Sequence, residues 1–419
     1  MALIKKPTTG MKDILPREMQ IRDYLIALIK DTYKSFGFTP IETPAVENIE
    51  NLSSKQGGEN EKLIFKILKR GEKLNLETAS SEADLVDGGL RYDLTVPLVR
   101  FYSNNMAELP TPFKALQIGP VWRADRPQKG RFRQFYQCDI DILGEPSNLA
   151  EIELILATTT VLDRVGFEEI IIHINDRRIL KAMAAYSGFA EADYDNIFII
   201  LDKMDKIGLD GVKAELLESG YDSSAVERYV ALFDGMKQAD NSLNYVCETV
   251  ADYLDEDAKS NLKEIFASVL PLKKYSVELK FDPTLVRGMS YYTGTIFEIE
   301  VPQFGSSVGG GGRYDKMVGR FTGQDTPACG FSIGFERIIT ILLEENFEIP
   351  DQSERVAFLL EKGLESERLT EIMREALALR KEGKQVLVVR MAKNKKFQKE
   401  NLMTQGYRDF KEFYKNPLN

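Results

Sequence analysis

The sequence predicts a mixed α+β fold in three parts. Residues 114–122 and 132–143 have the composition of two strands, and Pro127 and Gly130 between them indicate a turn. Residues 166–275 are rich in helical patterns and hold no arginine cluster beyond one adjacent pair, which predicts an inserted helical domain. After residue 350 a strand, a helix and a second strand alternate, which is typical of a small α/β domain.

These observations set the expected domain boundaries. We expect a main domain in residues 1–165 and 276–345, a helical insertion in 166–275, and a short C-terminal α/β domain in 354–419. After this last strand-helix-strand unit, the remaining residues leave room for only one more helix and a short strand. The C-terminal domain is therefore expected to be small.

The main domain is expected to begin with a loop and an amphipathic helix over about residues 17–36. Its apolar side chains recur at helical spacing, at Ile21, Leu25, Leu28, Ile29 and Tyr33. Gly37 ends the helix, and the extended segment after it carries Pro40 and Pro44, which suit the edge of a sheet. The pattern fits a dimer-forming element and a plain packing helix equally well.

Two further extended segments precede the strand pair. Residues 64–78 predict a hairpin with its turn at 70–72. A short strand near residue 90 leads into a helix and places Arg91, Asp93 and Thr95 on one side. These three positions indicate a surface unless the strand neighbours a polar pocket.

Composition bounds the class of protein. The chain has 419 residues, of which 43% are hydrophobic and 29% charged, as in folded proteins of two or three domains. There is no apolar run of roughly eighteen residues and no signal-peptide pattern, so we expect neither a membrane span nor secretion. Three distant cysteines form no disulfide or zinc motif, which favours the reducing cytoplasm and gives no metal site.

The charge of the chain is uneven. Residues 380–419 hold eleven Lys or Arg against four Asp or Glu, a balance of +7 that leaves −17 for the rest of a chain with net charge −10. A basic end on an acidic body permits contact with RNA and is equally compatible with a solvated helix face. The only histidine, His173, lies in an apolar strand and is expected to be structural.

The turn between the two long strands concentrates positive charge. Asp125 alone opposes five cations, namely Arg123, Arg126, Lys129, Arg131 and Arg133. Such a cluster repels itself unless an anion binds, and arginine binds phosphate with two parallel hydrogen bonds. The second strand also turns Gln137, Asp139 and Asp141 to one face. We interpret the pair as an anion clamp beside a polar pocket; the alternative is an exposed basic hairpin on a sheet with one wet face.

Three later segments carry further candidate chemistry. Arg287 stands between two strands together with Tyr291 and Tyr292, where a hairpin turn with aromatic packing is the other interpretation. The run Gly309–Gly312 lets the backbone approach a ligand closely and is not a P-loop. Arg337 follows a small-residue strand at the start of a helix, where it could face an anion or an aromatic ring, or simply solvent.

In this order, these segments resemble the histidyl-tRNA synthetase family of the class II aminoacyl-tRNA synthetases. GMKDILP and GFTPIETPAVE resemble motif 1, VWRADRPQKGRFRQFYQ resembles motif 2, and GFSIGFERI resembles motif 3. LVRGMSYY and GGGGRYD are similar to two signatures particular to the histidine enzyme, although Ser290 replaces the usual aspartate in the first. The resemblance implies an antiparallel sheet of six or seven strands with flanking helices, and a homodimer.

The resemblance also implies roles in binding ATP, the substrate, and its accompanying Mg²⁺. Arg123 would hold the α-phosphate, and Arg287 would stabilise charge on its other side. Arg337 would lie against the adenine and reach the γ-phosphate, with Phe135 on the opposite face of the base. The resemblance also places Asp125 in the ATP site. It implies that Arg131 and Lys129, on the motif 2 loop, meet phosphates of ATP or of the tRNA acceptor end.

For the amino acid, the resemblance implies a pocket for L-histidine. Asp93, Thr95 and Gln137 would surround the α-amino group. Asp141 and Tyr292 would address the imidazole, with Tyr291 and Arg287 beside them. The expected contacts with tRNA(His) are Arg126, Lys129, Lys395 and Lys396. A pocket that hydrogen-bonds both ring nitrogens rejects apolar amino acids strongly.

Two functions from different classes follow from this resemblance. The first is a histidine–tRNA ligase (EC 6.1.1.21), which forms histidyl-adenylate and then acylates the 3′ end of tRNA(His). The second is the synthetase-like regulatory subunit of ATP phosphoribosyltransferase, which keeps the fold and a histidine pocket without catalysis. Because Arg123, Arg287 and Arg337 are all present, the sequence favours the enzyme.

Overall fold

A computed structural model describes residues 3–53, 62–126, 132–274, 277–286, 291–350 and 353–415. The chain divides into two compact units, Met1–Asn346 and Phe347–Asn419. Within the described ranges, none of the helices combines the length and the apolar character needed to cross a membrane.

The described residues of the first unit form eleven strands. They are β1 (Thr39–Pro40), β2 (Val46–Asn48), β3 (Lys66–Leu68), β4 (Val86–Leu90), β5 (Phe113–Trp122), β6 (Gln134–Leu143), β7 (Ile170–Asp176), β8 (Val277–Phe281), β9 (Thr295–Val301), β10 (Ser306–Arg313) and β11 (Ala328–Ile333).

The same described residues form twelve α-helices. They are α1 (Pro16–Ser35), α2 (Ile49–Leu52), α3 (Thr95–Asn105), α4 (Leu149–Val165), α5 (Arg177–Ser187), α6 (Tyr194–Leu201), α7 (Met204–Glu218), α8 (Ser223–Gln238), α9 (Ser242–Thr249), α10 (Glu256–Val269), α11 (Lys316–Thr322) and α12 (Phe335–Glu344).

The large sheet has eight strands among the described residues, in the order β1-β5-β6-β11-β10-β9-β7-β8. The six interior strands pair antiparallel, whereas β1 on β5 and β8 on β7 pair parallel at the two edges. The sheet therefore exceeds the implied six or seven strands because a short strand is added at each edge. The mixed fold with a large antiparallel-rich sheet is as predicted.

The predicted strand pair is confirmed at the centre of this sheet. β5 and β6 are antiparallel from Phe113 opposite Leu143 to Trp122 opposite Gln134. Cys138, Ile140 and Ile142 are buried on the face that packs against α4. Because successive strand side chains alternate in direction, the polar residues between them must face the other way.

Helix α1 packs behind the sheet, against α4 and α12. Its apolar stripe is buried as the periodicity predicted, with Ile21, Leu25 and Ile29 at most 1% exposed. Complete burial of each such side chain contributes about 1.5–3 kcal/mol. Gly37 adopts φ +81° just after the helix, the left-handed conformation that glycine tolerates at a helix end.

The range predicted for the helical insertion contains helices α5 to α10, and it also contains strand β7. β7 pairs with β8 and β9 in the large sheet because its isoleucines are buried there, with Ile170, Ile172 and Ile174 at most 1% exposed. Helix α10 packs against α4 and β7, whereas α5 to α9 pack mainly on one another.

The hairpin predicted for residues 64–78 is wrong. Strand β3 pairs with β4 in a small sheet of order β2-β4-β3. Residues 71–73 form a short 3₁₀ helix, and the Asn75 side-chain oxygen accepts hydrogen bonds from the backbone N–H of Glu77 and Thr78. An asparagine turn therefore takes the place of the second strand.

The second unit confirms the predicted strand-helix-strand pattern with one more helix and a short strand. It contains β12 (Arg355–Leu360), α13 (Ser366–Lys381), β13 (Gln385–Arg390), α14 (Lys395–Met403) and β14 (Asp409–Phe413). The strands are parallel in the order β13-β12-β14. Successive residues of β12 enter two cores: Phe358 packs in one together with Ile372, and Leu359 packs in the other together with Leu402.

Candidate active site

A cavity of about 600 Å³ lies on the polar face of the large sheet. Ten of the residues predicted from the sequence line it, namely Asp93, Thr95, Arg123, Asp125, Phe135, Gln137, Asp141, Tyr291, Tyr292 and Arg337. Lys129, Arg131 and Arg287 lie outside the described residues. The central strands bring the predicted site together, because β6 stands beside β11 and β11 beside β10.

Three of the carboxylates that line the cavity, Asp93, Asp139 and Asp141, are here called the carboxylate cluster. Each is at most 3% exposed. Burial raises the pKa of Asp93 to about 6 and that of Asp141 to about 7, and burial beside Asp141 raises the pKa of Asp139 well above its ordinary value. Removal from water disfavours the charged form, and a like charge nearby disfavours it further.

Some polar atoms in and beside the carboxylate cluster have no hydrogen-bond partner among the described residues. Asp93 accepts a hydrogen bond from the Val96 backbone N–H through Oδ1, while its Oδ2 is buried without one. Asp141 Oδ2 and Gln137 Oε1 are also buried without a hydrogen-bond partner among the described residues. Leaving a buried acceptor unpaired costs about 1–3 kcal/mol. A ligand that brings N–H donors would recover this energy.

Asp141 is held by a residue that the sequence reasoning missed. The Tyr314 hydroxyl donates to Asp141 Oδ1 at 2.6 Å, and Tyr314 is 1% exposed. It directly follows the glycine-rich strand, in the segment GGGGRYD, so the signal was that motif itself. The Tyr291 ring lies 4.8 Å from Tyr292 and 6.1 Å from Tyr314, which makes an aromatic wall around the carboxylate.

The Asp141 carboxylate fits against the sheet because glycines stand on the neighbouring strands. A Cβ atom on Gly330 would lie 1.9 Å from Asp141 Oδ1, which no side chain can occupy. A Cβ atom on Gly311 would lie 1.9 Å from the Gly330 carbonyl oxygen. The glycine run was predicted to let the backbone approach a ligand. In the structure, Gly330 on β11 leaves space for the Asp141 carboxylate, and Gly311 of the run lets β10 lie close to the Gly330 backbone.

Ser332 and Asp139 were also missing from the predicted site. Ser332 stands opposite Asp139 on the neighbouring strand, and its hydroxyl donates to Asp139 Oδ1. The Gln137 amide donates to Ser332 at 3.2 Å and approaches Asp139 Oδ2 at 3.4 Å. The alternation of β6 already placed Asp139 on the polar face, whereas Ser332 is identified only by strand order.

Arg123 and Arg337, the arginine pair, line the same cavity. Arg123 donates through Nε to the Tyr92 carbonyl oxygen at 2.9 Å, and its guanidinium lies 5.1 Å from the Phe135 ring centre. Arg337 donates through Nη1 to the Ser307 carbonyl oxygen. Arg123 also acts on Asp93, whose pKa it lowers against the larger effect of burial. Its bond to the Tyr92 carbonyl oxygen places Arg123 beside the backbone that leads into Asp93.

The segment before α3 differs from its predicted form. Asp93 and Thr95 line the cavity, and Thr95 is the first residue of the helix rather than part of a strand. Arg91 is 5% exposed and takes no part in the cavity lining. Its guanidinium donates to the Thr43 and Pro120 carbonyl oxygens, so it ties the segment before α3 to the loop after β1 and to strand β5.

Of the predicted tRNA contacts that are described, Arg126 does not line this cavity, and Lys395 and Lys396 belong to the second unit. Arg126 is exposed and is the last described residue before 127–131, and Lys396 is exposed on α14. Lys395 Nζ contacts Glu412 Oε2 at 2.6 Å and the Tyr414 hydroxyl at 2.7 Å. A phosphate at Lys395 would therefore have to compete with a carboxylate.

His173 is outside the cavity, as expected of a structural residue. Its two ring nitrogens lie 3.0 Å from Asp282 Oδ2 and 3.0 Å from Glu300 Oε2. These two carboxylates, against the opposing effect of burial, raise the pKa of His173. The residue links β7 to β9 and to the loop that follows β8.

The sequence of this chain is similar to those of known proteins. The family model described as histidyl-tRNA synthetase matches residues 10–338. The histidine–tRNA ligase of Leifsonia xyli subsp. xyli is 45% identical over 413 residues, which are 96% of this chain and 94% of that protein. The histidine–tRNA ligase of Flavobacterium johnsoniae is 38% identical over 366 residues, or 80% of this chain and 77% of that protein.

A solved structure resembles the fold over almost its full length. The crystal structure of histidyl-tRNA synthetase from Nostoc sp. PCC 7120 aligns with a TM-score of 0.77 at 27% identity. The alignment covers 97% of this chain and 91% of the other. Sequence and fold therefore point to the same family.

Proposed function

This chain belongs to the histidyl-tRNA synthetase family and is a histidine–tRNA ligase, and we propose how its cavity divides the substrates of the activation step. The carboxylate cluster with Tyr314 would hold L-histidine, and the arginine pair would hold ATP. The observation that carries this proposal is that both groups line one cavity, with buried carboxylate oxygens that lack a partner among the described residues.

In the activation step, an oxygen of the histidine carboxylate attacks the α-phosphorus of ATP. A new P–O bond forms, the bond from the α-phosphorus to the bridging oxygen breaks, and pyrophosphate leaves with that electron pair. Arg123 would hold the α-phosphate, and its nearness to Asp93 supports this role because the α-amino group would lie beside the reacting carboxylate. Preorganised cations stabilise the negative charge that develops in such a step.

The remaining ATP contacts follow the same proposal. Arg337 would lie against the adenine and reach the γ-phosphate, with Phe135 on the other face of the base and Asp125 nearby. All three line the cavity. Arg287 and Arg131, which lie outside the described residues, keep their proposed places at the α-phosphate and on the motif 2 loop.

For histidine, the proposed contacts use groups with complementary hydrogen-bonding capacity. Asp93, Thr95 and Gln137 would accept from the α-ammonium group. Asp141 would accept from an imidazole N–H through its Oδ2, while Tyr314 holds its other oxygen. Tyr291 and Tyr292 would enclose the ring. Because the acceptors stay unpaired without these donors, an apolar amino acid would be rejected.

Histidine binding should weaken in acid as Asp93 becomes protonated. The pKa of this buried carboxyl is about 6, so it is ionised at pH 8 and neutral at pH 5. Its attraction for the α-ammonium group is therefore lost as the pH falls through 6. We expect the Kd for histidine, measured calorimetrically, to rise at least about tenfold from pH 7.5 to pH 5.

The control for this pH experiment is the Asp93→Asn variant. It should bind histidine weakly at pH 7.5 and lose about tenfold less affinity on acidification than the wild type does. Asp141, whose pKa is about 7, and histidine's own imidazole also titrate in this range, and they do so in both proteins. The difference between wild type and Asp93→Asn isolates the carboxyl. A wild-type Kd that is constant from pH 7.5 to 5, or parallel curves for the two proteins, would contradict the proposed role.

We also propose contacts for the tRNA and for Mg²⁺. After activation, the histidyl group would pass to the 3′ end of tRNA(His), with Arg126, Lys129, Lys395 and Lys396 contacting the RNA. Mg²⁺ would enter with the ATP phosphates. In the described ranges there is no group of three or more His, Cys, Asp or Glu that could hold a metal ion.

The proposed organisation keeps the predicted domains with one adjustment. Residues 1–165 and 276–345 would form the catalytic domain together with β7, the helices of 166–275 the insertion, and 354–419 a shortened anticodon-binding-like domain. We propose a homodimer, supported by the long helix α1 and the extended segment after it. A cytoplasmic location is supported by three free cysteines, all of them buried.

A further inference from the structure

A buried ion pair stands directly behind the cavity. Arg22 on α1 is 4% exposed, and its guanidinium forms two parallel hydrogen bonds with the Glu336 carboxylate, Nη1 to Oε2 at 2.7 Å and Nη2 to Oε1 at 2.8 Å. The two residues are 314 positions apart in the chain. The contact therefore joins the first helix of the protein to the last helix of its first unit.

The surroundings of this pair hold it in one geometry. The Arg22 guanidinium lies 5.0 Å from the Tyr136 ring centre and 4.9 Å from that of Phe335, so two aromatic rings flank the cation. Glu336 Oε1 also accepts a hydrogen bond from the Tyr136 backbone N–H at 3.0 Å. One carboxylate thus connects α1, β6 and the first turn of α12.

Burying such a pair is a weak way to stabilise a fold. Desolvation of two charges offsets most of their attraction, and apolar residues of the same volume often stabilise a protein as well or better. What an ion pair does provide is a fixed orientation, because a bidentate contact defines both direction and distance. The Arg22–Glu336 contact therefore fixes the positions of the residues next to it.

The residues next to the ion pair belong to the proposed adenine site. Glu336 immediately precedes Arg337, and Tyr136 immediately follows Phe135, the two residues proposed to enclose the adenine. Phe335, Glu336 and Tyr136 themselves line the cavity. A shift of Glu336 would therefore move both sides of the adenine site together.

We propose that Arg22 is a positioning residue for ATP, acting through Glu336 on the spacing between Arg337 and Phe135. Arg22 itself does not line the cavity. The proposal rests on the assignment of ATP to the arginine pair made above. It extends that assignment to a helix which the sequence marked only as a dimer or packing element.

The test is the Arg22→Met variant, which keeps much of the side-chain volume and removes the charge and both hydrogen bonds. We expect the KM for ATP in histidine-dependent ATP–pyrophosphate exchange to rise about 10- to 10²-fold, since misplacement by about 1 Å can have effects of this size. The KM for histidine should change less than twofold. A merely structural role would lower the active fraction, and thus kcat, without separating the two KM values.

Two further variants keep the test decisive if Arg22→Met folds poorly. Glu336→Gln preserves shape and one acceptor and should also raise the KM for ATP selectively. Arg22→Lys keeps the charge without the planar fork, so its KM for ATP should fall between wild type and Arg22→Met. Arg164→Met removes an exposed arginine that pairs with Asp31 and should leave both KM values unchanged.

The outcomes separate this inference from the assignment of ATP. If Arg22→Met and Glu336→Gln keep the wild-type KM for ATP, with or without a lower melting temperature, the pair only packs and the inference is overturned. If wild-type exchange is normal but Arg337→Ala leaves the KM for ATP unchanged, the assignment of ATP to the arginine pair fails instead. If the KM for ATP rises in Arg22→Met, Glu336→Gln and Arg337→Ala alike, both the positioning role of Arg22 and the assignment of ATP to the arginine pair are supported.

Discussion

Arg123→Ala will lower the rate of histidine-dependent ATP–pyrophosphate exchange by about 10²–10³-fold. The loss should appear mainly in kcat, because the proposed contact with the α-phosphate strengthens as negative charge develops on it. Arg123 is fixed for this task by its bond to the Tyr92 carbonyl oxygen and by the Phe135 ring. The measurement is initial exchange rate against ATP and histidine concentration.

Two controls accompany the Arg123 experiment. Arg123→Lys keeps the charge but loses the planar fork, so it should recover only part of the rate. Arg320→Ala removes an exposed arginine of the same unit and should exchange like wild type. Exchange by Arg123→Ala within twofold of wild type would show that this side chain does not stabilise the transferring phosphate.

Asp141→Ala should remove most of the preference for histidine. With Oδ1 held by Tyr314 and Oδ2 buried without a partner among the described residues, Asp141 is the proposed acceptor for the imidazole N–H. We expect kcat/KM for histidine to fall by about 10³–10⁴-fold while the KM for ATP changes little, since polar readout gives discrimination of this order. The measurement is exchange at varied histidine, with a thermal melt to confirm folding.

The Tyr314→Phe variant tests the same contact from the other side. Removing its hydroxyl leaves Asp141 less constrained, so kcat/KM for histidine should fall less than it does in Asp141→Ala. In the double variant that carries Asp141→Ala and Tyr314→Phe, the loss of transition-state stabilisation should be less than the sum of the two single losses. Asp141→Asn keeps the shape and replaces one acceptor oxygen with a donor, so it should resemble Asp141→Ala. Histidine kinetics in Asp141→Ala that match wild type would place the imidazole elsewhere.

Much of this site could be predicted because its residues lie on regular elements with a simple period. The alternation of β6 alone set Gln137 and Asp141 on one face, and the structure places both in the cavity. Arg123 was identified by charge that an acidic chain would not otherwise concentrate, and Arg337 by its place between a small-residue strand and a helix. The resemblance to a family then connected segments that are far apart in the sequence.

What could not be predicted depends on contacts between strands. Tyr314 reaches Asp141 only because β11 lies between β6 and β10, and no local pattern gives that order. The pairing of β3 with β4 was missed because turn chemistry at Asn75 outweighed the strand-like composition around it. The bond from Arg22 to Glu336 spans nearly the whole first unit, and α1 looked like any amphipathic helix.

The central claim is that this cavity activates histidine, and the most direct test is ATP–pyrophosphate exchange by the purified chain with each amino acid in turn. We predict exchange with L-histidine alone, favoured over the others by at least about 10⁴ in kcat/KM. Histidine binding without exchange would contradict this account, because the arginine pair would then serve no activation step and the regulatory-subunit alternative would fit better.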